Sequence, residues 1–446
     1  MPSTVFDSGI FRDAFGTPTM RAIFSDEATV ARYVEVEVAL AAAEARAGVI
    51  PQDAADAIKR GADARAIDLA QLKTETDLVG YPIVGLVRQL SKQCGDAGRY
   101  VHWGATTQDI MDTATVLQIR DALTIVEADL AALETSLAGL ARKHRDAVMA
   151  GRTHLQHALP VTFGYKAAVW LSMIQRHRRR VSEIKPRVLV GQFGGAAGTL
   201  ASLGDKGLAV HDALMEELDL GKASIPWHVA RDGLAETVGL LGLVTGSLAK
   251  IATDVMLMMQ TEVGEVFEPY EMGRGSSSTM PQKRNPISCE LILAAAKVVR
   301  QHAGLMLDAM ASDHERATGP WQVEWLAIPE SFIATGGALH QARFMLDGLV
   351  VEPARMRRNL ELTGGLILAE AVMMALAEHT GRQDAHHIVA HAARTALDQG
   401  TTLLAQLERE PKVTQHLDGK RLQQLLDPVN YLGSAPAMVD RVLRGR

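Results

Sequence analysis

Cysteine is nearly absent from this chain, whose 446 residues include only Cys94 and Cys289. Two thiols cannot build the disulfide framework of a small secreted protein or a cysteine-based metal cluster. We therefore expect both to be ordinary packing residues of a protein in a reducing cytoplasm.

The chain also lacks targeting and membrane-spanning signals. Residues 1–23 carry charge and proline instead of a basic segment followed by an apolar one, so we expect no signal peptide. No uncharged stretch is both apolar and long enough to span a bilayer. Long basic runs are missing and the net charge is −6, so we expect neither nucleic acid nor a membrane as the main partner.

Aromatic residues are scarce, at 4% of the chain, whereas alanine and leucine are frequent. This composition favours close helix packing over sheet faces, which prefer aromatic and β-branched side chains. Apolar residues recur three and four positions apart through several long segments, as a bundle helix requires. We predict an all-α fold with long helices at about 112–144, 161–184, 231–265, 288–311 and 329–346.

Segment lengths divide the chain into three predicted domains. Residues 1–110 form a mostly helical N-terminal domain, residues 111–355 a central domain of long bundled helices, and residues 356–446 a C-terminal helical domain. A long helix that is apolar around much of its circumference must be buried on several sides. We therefore expect subunits to share a core in a homo-oligomer.

One glycine- and serine-rich segment, residues 273–286, concentrates polar groups, and we call it the flap. Its glycines let backbone N–H groups turn toward an anion, while Lys283 adds a point charge and Asn285 a directional donor. A mobile segment of this kind can open for a carboxylate-bearing substrate and close against water. On composition alone, a solvated surface loop is the competing interpretation.

The flap contains the pattern Ser277-Ser278-x-Met280-Pro281-x-Lys283-x-Asn285-Pro286, which resembles the signature of the fumarase/aspartase superfamily. This superfamily includes adenylosuccinate lyase, argininosuccinate lyase and 3-carboxy-cis,cis-muconate cycloisomerase, and most other matching segments look like the cycloisomerase branch. The resemblance implies a small N-terminal domain, a long central bundle and a C-terminal helical domain. It also implies a homotetramer that fuses four bundles into one twenty-helix core, with active sites shared between subunits.

The resemblance assigns substrate-binding roles to residues in and outside the flap. Thr106 and Thr107 precede the first long helix and would hold a carboxylate near its positive end. From the residues alone, helix capping by Thr107 or Asp109 is an even alternative, and a helix-end salt-bridge cluster is the alternative for Arg316. The remaining implied substrate contacts are Gln156, Ser278, Met280, Lys283 and Asn285.

His154 and Glu290 carry the prediction about the reaction type. A lone histidine is more often structural, but in the fumarate-producing lyases the matching histidine serves as general acid or positions the leaving group, and the matching glutamate orients it. Bacterial carboxymuconate cycloisomerases typically have tryptophan and a small residue at these positions. This chain has both members of the pair, so it resembles a cycloisomerase relative with a lyase-type proton donor. Thr76 stands where adenylosuccinate lyase has histidine, which argues against purine nucleotide chemistry.

Together these residues suggest a reversible anti β-elimination from a succinate-like polycarboxylate, an N-succinyl amine or amino acid, to give fumarate. Ser277 would be the base that removes the proton beside a carboxylate, and His154 with Glu290 would protonate the departing nitrogen. No metal or organic cofactor is implied. Two alternatives stay open: a lactonising reaction of the 3-carboxy-cis,cis-muconate cycloisomerase type, and a catalytically silent structural homologue.

Overall fold

The computed structural model describes residues 4–445, and helices dominate it, in agreement with the predicted all-α class. Strands in this part of the chain are confined to two short antiparallel pairs. The strands are β1 Val148–Thr153, β2 Gln156–Thr162, β3 Val266–Phe267 and β4 Val350–Val351. The helices are α1 Arg12–Phe15, α2 Pro18–Ile23, α3 Asp26–Arg46, α4 Gln52–Gly61, α5 Leu69–Val79, α6 Ile83–Gln93, α7 Thr107–Lys143, α8 Phe163–Val188, α9 Gly207–Leu218, α10 Asp232–Met259, α11 Ile287–Ala309, α12 Pro320–Asp347, α13 Pro353–Glu361, α14 Ala369–Thr380, α15 Arg382–Gln399, α16 Leu403–Leu407, α17 Pro411–Thr414, α18 Gly419–Leu425 and α19 Ala435–Arg444.

The five predicted long helices are present as α7, α8, α10, α11 and α12. Four of them begin and end close to the predicted positions, because their apolar residues repeat at the helical period. In α7, for example, Ile119, Leu123 and Val126 are fully buried. The helical repeat of apolar residues predicted these helices, because the same repeat forms the face that each helix buries.

The predicted start of α12 at residue 329 is wrong. The helix begins at Pro320 and continues through Pro329. Pro320 suits the first helical position, where a missing N–H costs nothing, whereas Pro329 in the interior removes one backbone hydrogen bond. Burial of Trp321, Ile328 and Phe332 on either side of this point packs the helix in spite of that loss.

The chain forms two compact units, each assembled from three separate stretches. The first unit comprises residues up to 130, 177–249 and 291–341, and the second comprises 131–176, 250–290 and 342 onward. The predicted domain boundaries at 110/111 and 355/356 fall inside α7 and α13. The division into three domains stays a prediction.

Each unit has its own hydrophobic core. In the first unit, α3, α6, α7 and α9 bury a common cluster that includes Leu40, Leu86, Leu117 and Leu214. In the second unit, Ala150 of β1 packs against Leu360 and Leu368, which seats the β1–β2 hairpin on α13 and the turn before α14. Both cysteines are free and buried, as expected of packing residues.

Among the described residues, α10 is the one single helix long and apolar enough to cross a membrane by length and composition. Half of its most apolar window is buried in the structure. Burial of this kind is typical of a core helix in a helical bundle.

Candidate active site

The predicted site residues fall into two groups, one in each unit. Thr106, Thr107 and Arg316 lie in the first unit. The second unit holds His154, Gln156, Ser277, Ser278, Met280, Lys283, Asn285 and Glu290.

The first group surrounds the N-terminus of α7. The Thr106 N–H donates to Asp109 Oδ2 at 2.9 Å, which is the backward hydrogen bond of a capping box. Asp109 is therefore the residue that caps this helix. Within residues 4–445 the hydroxyls of Thr106 and Thr107 have no hydrogen-bond partner, so both can bind a ligand.

Asp109 also joins this helix end to two distant segments. It is 1% exposed and accepts from the N–H groups of Gly194 and Gly195, both at 2.9 Å. His228 Nε2 lies 2.7 Å from Asp109 Oδ1, the oxygen that also accepts from Gly194. These bonds fix the direction in which the first turn of α7 points its free N–H groups.

Arg316 is held beside the same helix end. Its guanidinium donates to Gln108 Oε1 at 3.1 Å and to the Ala196 carbonyl at 2.8 Å, and Gln108 in turn donates to the His228 carbonyl at 2.9 Å. Neither acceptor is a carboxylate, so the positive charge of Arg316 is not neutralised by them. A helix N-terminus with an adjacent guanidinium attracts a carboxylate.

A buried ion-pair cluster lies one turn further along α7. Arg231 donates to both oxygens of Asp112 at 2.7 and 2.9 Å, and its Nε donates to Glu324 at 2.8 Å. All three side chains are almost fully buried. This cluster was not predicted from the sequence, although an arginine directly before an apolar helix was a signal for a buried partner.

The second group includes His154, which lies at the tip of the β1–β2 hairpin. Thr153 pairs with Gln156 across a two-residue turn. Both turn residues, His154 at φ 51° and Leu155 at φ 63°, have left-handed backbone. A type I′ turn requires this conformation and usually selects Asn-Gly, so no hairpin could be predicted from the residues at this position. The turn exposes the imidazole of His154.

A partly buried ion pair clamps this hairpin. Arg152, two residues before His154, donates to both oxygens of Glu265 at 2.9 and 2.8 Å. Glu265 is fully buried and also accepts from Asn359 Nδ2 at 2.8 Å. The bidentate geometry fixes the position and rotation of the arginine, and therefore of the β1 end that carries His154.

The flap surrounds Ser277 with its own backbone. The Ser277 Oγ accepts from the N–H groups of Met280 at 3.1 Å and Thr279 at 3.3 Å. At the neck of the flap, the Asn285 N–H donates to the Gly275 carbonyl at 3.0 Å. Gly275 has φ 67°, and a Cβ there would lie 2.7 Å from the Asn285 oxygen, so the neck requires glycine.

Several predicted side chains have no partner within residues 4–445. The side chains of His154, Gln156, Lys283, Asn285 and Glu290 make no hydrogen bond or ion pair there. His154 and Glu290 are thus not paired within one chain, and their pairing stays a prediction about the assembled protein. Ser278 and Met280 are exposed in the flap. In the same described range, no three His, Cys, Asp or Glu residues form a group able to hold a metal ion.

Family models match two parts of the chain. A family model described as "Lyase" matches residues 13–300, and one described as "Adenylosuccinate lyase C-terminus" matches residues 365–442. A solved structure of fumarate lyase from Mesorhizobium sp. BNC1 is 57% identical with a TM-score of 0.92, covering 97% of this chain and 99% of that one.

Curated relatives that cover nearly the whole chain have different activities. Trans-aconitate decarboxylase 1 of Mycosarcoma maydis is 51% identical over 99% of this chain and 90% of its own length. 3-Carboxy-cis,cis-muconate cycloisomerase of Pseudomonas aeruginosa is 48% identical over 97% and 95%, and nitrosuccinate lyase of Streptomyces davaonensis is 42% identical over 99% and 96%. With a matching family model over most of its length and relatives of this similarity, the chain belongs to the fumarase/aspartase superfamily of lyases.

Proposed function

We propose that this enzyme catalyses the reversible anti β-elimination of an N-succinyl amine or amino acid, with release of fumarate. The observation that carries the proposal is the presentation of His154, an unpaired and exposed imidazole at the tip of a hairpin clamped by Arg152 and Glu265. A histidine side chain presented in this way can act as a general acid that protonates a departing nitrogen. The similarity to a fumarate lyase and a nitrosuccinate lyase supports the same reaction class.

Ser277 is the proposed base. It removes the proton from the carbon beside one carboxylate, which gives a doubly charged aci-carboxylate, and the β-substituent then leaves to form fumarate. A serine hydroxyl is too weak an acid to ionise near neutrality without help. The two backbone N–H groups at its Oγ support the proposal because they stabilise negative charge on that oxygen. Lys283 supplies further positive charge when the flap closes.

Carboxylate binding is assigned to the remaining predicted residues. Thr106 and Thr107 offer free hydroxyls at a helix N-terminus, and Arg316 lies beside them. In the proposed homotetramer different subunits supply these groups, together with Gln156 and Asn285, to each site. Two exposed leucines support such an assembly: Leu243 on α10 is 55% exposed and Leu307 on α11 is 65% exposed.

A carboxymuconate-type lactonising reaction is the second candidate, because the Pseudomonas aeruginosa cycloisomerase is 48% identical over almost the whole chain. In this reaction a carboxylate of the substrate adds to a double bond of the same molecule, and the carbon beside another carboxylate gains a proton instead of losing one. His154 and Glu290 favour the first candidate, because an amine that departs as a separate molecule needs a proton donor.

A substrate panel tests the proposal. Purified protein is incubated with fumarate and a series of amines and thiols, and separately with 3-carboxy-cis,cis-muconate and with trans-aconitate. Loss of the ultraviolet absorbance of fumarate, only when an amine is present, would support elimination from an N-succinyl compound. Lactone formation would support the second candidate, and decarboxylation of trans-aconitate would overturn both. A Ser277→Ala preparation is the control for contaminating activity.

A further inference from the structure

A cavity of about 330 Å³ lies in the first unit, along the α7 face that leads away from Thr107. Met111, Thr115 and Gln118 of α7 line it. They follow Thr107 by about one, two and three helical turns, so the cavity begins roughly 6 Å along the helix from the proposed carboxylate-binding hydroxyl. A substrate carboxylate at Thr107 would therefore direct the rest of the molecule toward this space.

One wall of the cavity is aromatic. Trp321 and Trp325 of α12 line it with ring centroids 5.0 Å apart in an edge-to-face arrangement. Behind them, Tyr81 stacks on Trp321 at 5.6 Å, and the indole N–H of Trp321 donates to Asp112 Oδ1 at 3.1 Å. These contacts hold the indole rings as fixed faces, against which a planar or aliphatic group can pack.

The charge around the cavity is negative or neutral. No lysine, arginine or histidine lines it in the described part of the chain, whereas Asp112 and Glu324 do. Burial raises the pKa of Glu324 although Arg231 opposes the shift. Arg231 balances one carboxylate, so the cluster has a charge of −1 with Glu324 ionised and zero with Glu324 protonated. In neither state is there an uncompensated positive charge for an anionic ligand.

The polar lining groups mainly accept hydrogen bonds. The hydroxyls of Thr76 and Thr115 already donate to carbonyls of their own helices, at 2.7 and 2.9 Å. The Gln118 amide nitrogen donates to the Ile23 carbonyl at 2.8 Å and to Thr29 Oγ1 at 3.0 Å. The lone pairs of these hydroxyls and the Gln118 carbonyl remain for a ligand N–H.

We infer that this cavity binds the amine half of the substrate, and that it selects amines with an aromatic or other apolar body that are neutral or cationic. The inference rests on the proposed function, because it identifies the group that departs when fumarate forms. An ammonium ion gains from both the indole faces and the nearby carboxylates. Phosphate-bearing or carboxylate-bearing leaving groups are disfavoured by the same surroundings.

Direct binding tests the inference without turnover. Benzylamine and phenylacetate share a ring and differ in charge. Both are titrated in excess succinate, which occupies the proposed carboxylate site at Thr107, and the change in tryptophan fluorescence of the full chain measures binding. We expect saturable quenching by benzylamine and at least roughly tenfold weaker binding of phenylacetate. Trp325→Ala should weaken benzylamine binding about tenfold, whereas Leu208→Ala, at an exposed apolar position on α9, should leave it unchanged.

Two controls keep the outcomes distinct. Thr115→Val removes an acceptor from the cavity without removing an indole, and circular dichroism checks the fold of each variant. Equal or tighter binding of phenylacetate, or benzylamine binding that survives both Trp325→Ala and Thr115→Val, would overturn the inference. Selective benzylamine binding without fumarate formation from any N-succinyl amine would instead overturn the proposed function, and the cavity would remain a binding site for aromatic amines without the role of a leaving-group site.

Discussion

Ser277 accepts two backbone hydrogen bonds within the flap, whereas the hydroxyl of its neighbour Ser276 donates to the Gly273 carbonyl at 2.8 Å. Because only the Ser277 oxygen has N–H donors that can stabilise an alkoxide, we predict that Ser277→Ala lowers kcat about 10³-fold. Ser276→Ala should change kcat by less than about threefold. Steady-state kinetics with the substrate found in the panel measures both, and undiminished turnover by Ser277→Ala would rule out the base assignment.

Glu44 is a second residue with a measurable consequence. It is fully buried, and neither carboxyl oxygen has a hydrogen-bond partner in the described chain. Burial, and then the charge of Glu37, raise its pKa from 4.5 to about 9. The folded protein therefore binds a proton that the unfolded chain releases, so stability falls as the pH rises from about 4.5 to about 9.

The Glu44→Gln substitution should remove this pH dependence. At pH 7.5 we expect a gain in the free energy of unfolding of at most about 4 kcal/mol, with little change at pH 5. Thermal or denaturant unfolding between pH 5 and 9 measures it, with the exposed Glu217→Gln as control. A Glu44→Gln protein that is no more stable at pH 8 than the parent would show that Glu44 is hydrated or paired.

Asp109 illustrates what the sequence could predict at this scale. The choice between capping and ligand binding at the start of α7 was even from the residues alone. The role of Asp109 is determined by its contacts with Gly194, Gly195 and His228, which lie 85 to 119 residues away along the chain. Sequence patterns identified these segments as family-like, but only the fold shows that they use the carboxylate of Asp109 and leave the hydroxyls of Thr106 and Thr107 free.

At the scale of elements, the partly buried ion pair between Arg152 and Glu265 determines where the β1–β2 hairpin places His154. Glu265→Gln removes the charge that holds Arg152, so the turn would shift although none of its own residues is changed. We predict that kcat falls by about 10- to 100-fold with a smaller change in KM. Arg145→Gln is the matched control, because Arg145 pairs with Asp440 at a partly exposed position near the other end of β1.

Recovery of activity by a conservative variant separates a role in positioning His154 from a general loss of structure. Glu265→Asp keeps the charge and should recover part of the activity lost in Glu265→Gln, while unfolding curves report stability independently. Equal losses in the two variants and in Arg145→Gln would mean that the ion pair has no specific role in placing His154.

The long helices were predictable because one periodic pattern determines both their length and their buried face. The hairpin was not, because its turn residues, His154 and Leu155, are neither glycine nor asparagine. The start of α12 was missed for a related reason: Pro329 looks like a helix boundary, and the packing that tolerates it is contributed by other elements.

At the scale of the whole molecule, the predicted sharing of sites between subunits has a direct test. Ser277→Ala and His154→Ala chains are each inactive in the proposal, but in a mixed tetramer some sites receive a native serine from one chain and a native histidine from another. Random assembly should restore about one quarter of the sites. Activity after the two variants are unfolded and refolded together measures this, and light scattering gives the mass of the assembly.

No recovery in a mixture that refolds to the expected mass would mean that the same chain supplies both Ser277 and His154 to a site. As the control, each variant is unfolded and refolded alone under the same conditions, and it should stay inactive. A mass below that of four chains would contradict the tetramer before any activity is measured.

Helix α10 has a consequence for how the protein is made. It resembles a membrane span in length and composition, and Gly242 on it packs close to Ala303 of α11, which is synthesised more than 40 residues later. During translation at about 5–20 residues per second, α10 thus emerges seconds before one of the helices that cover it. During that interval α10 must be kept from membrane insertion and from aggregation. We therefore expect the nascent chain to depend most on chaperones between the synthesis of α10 and that of α11.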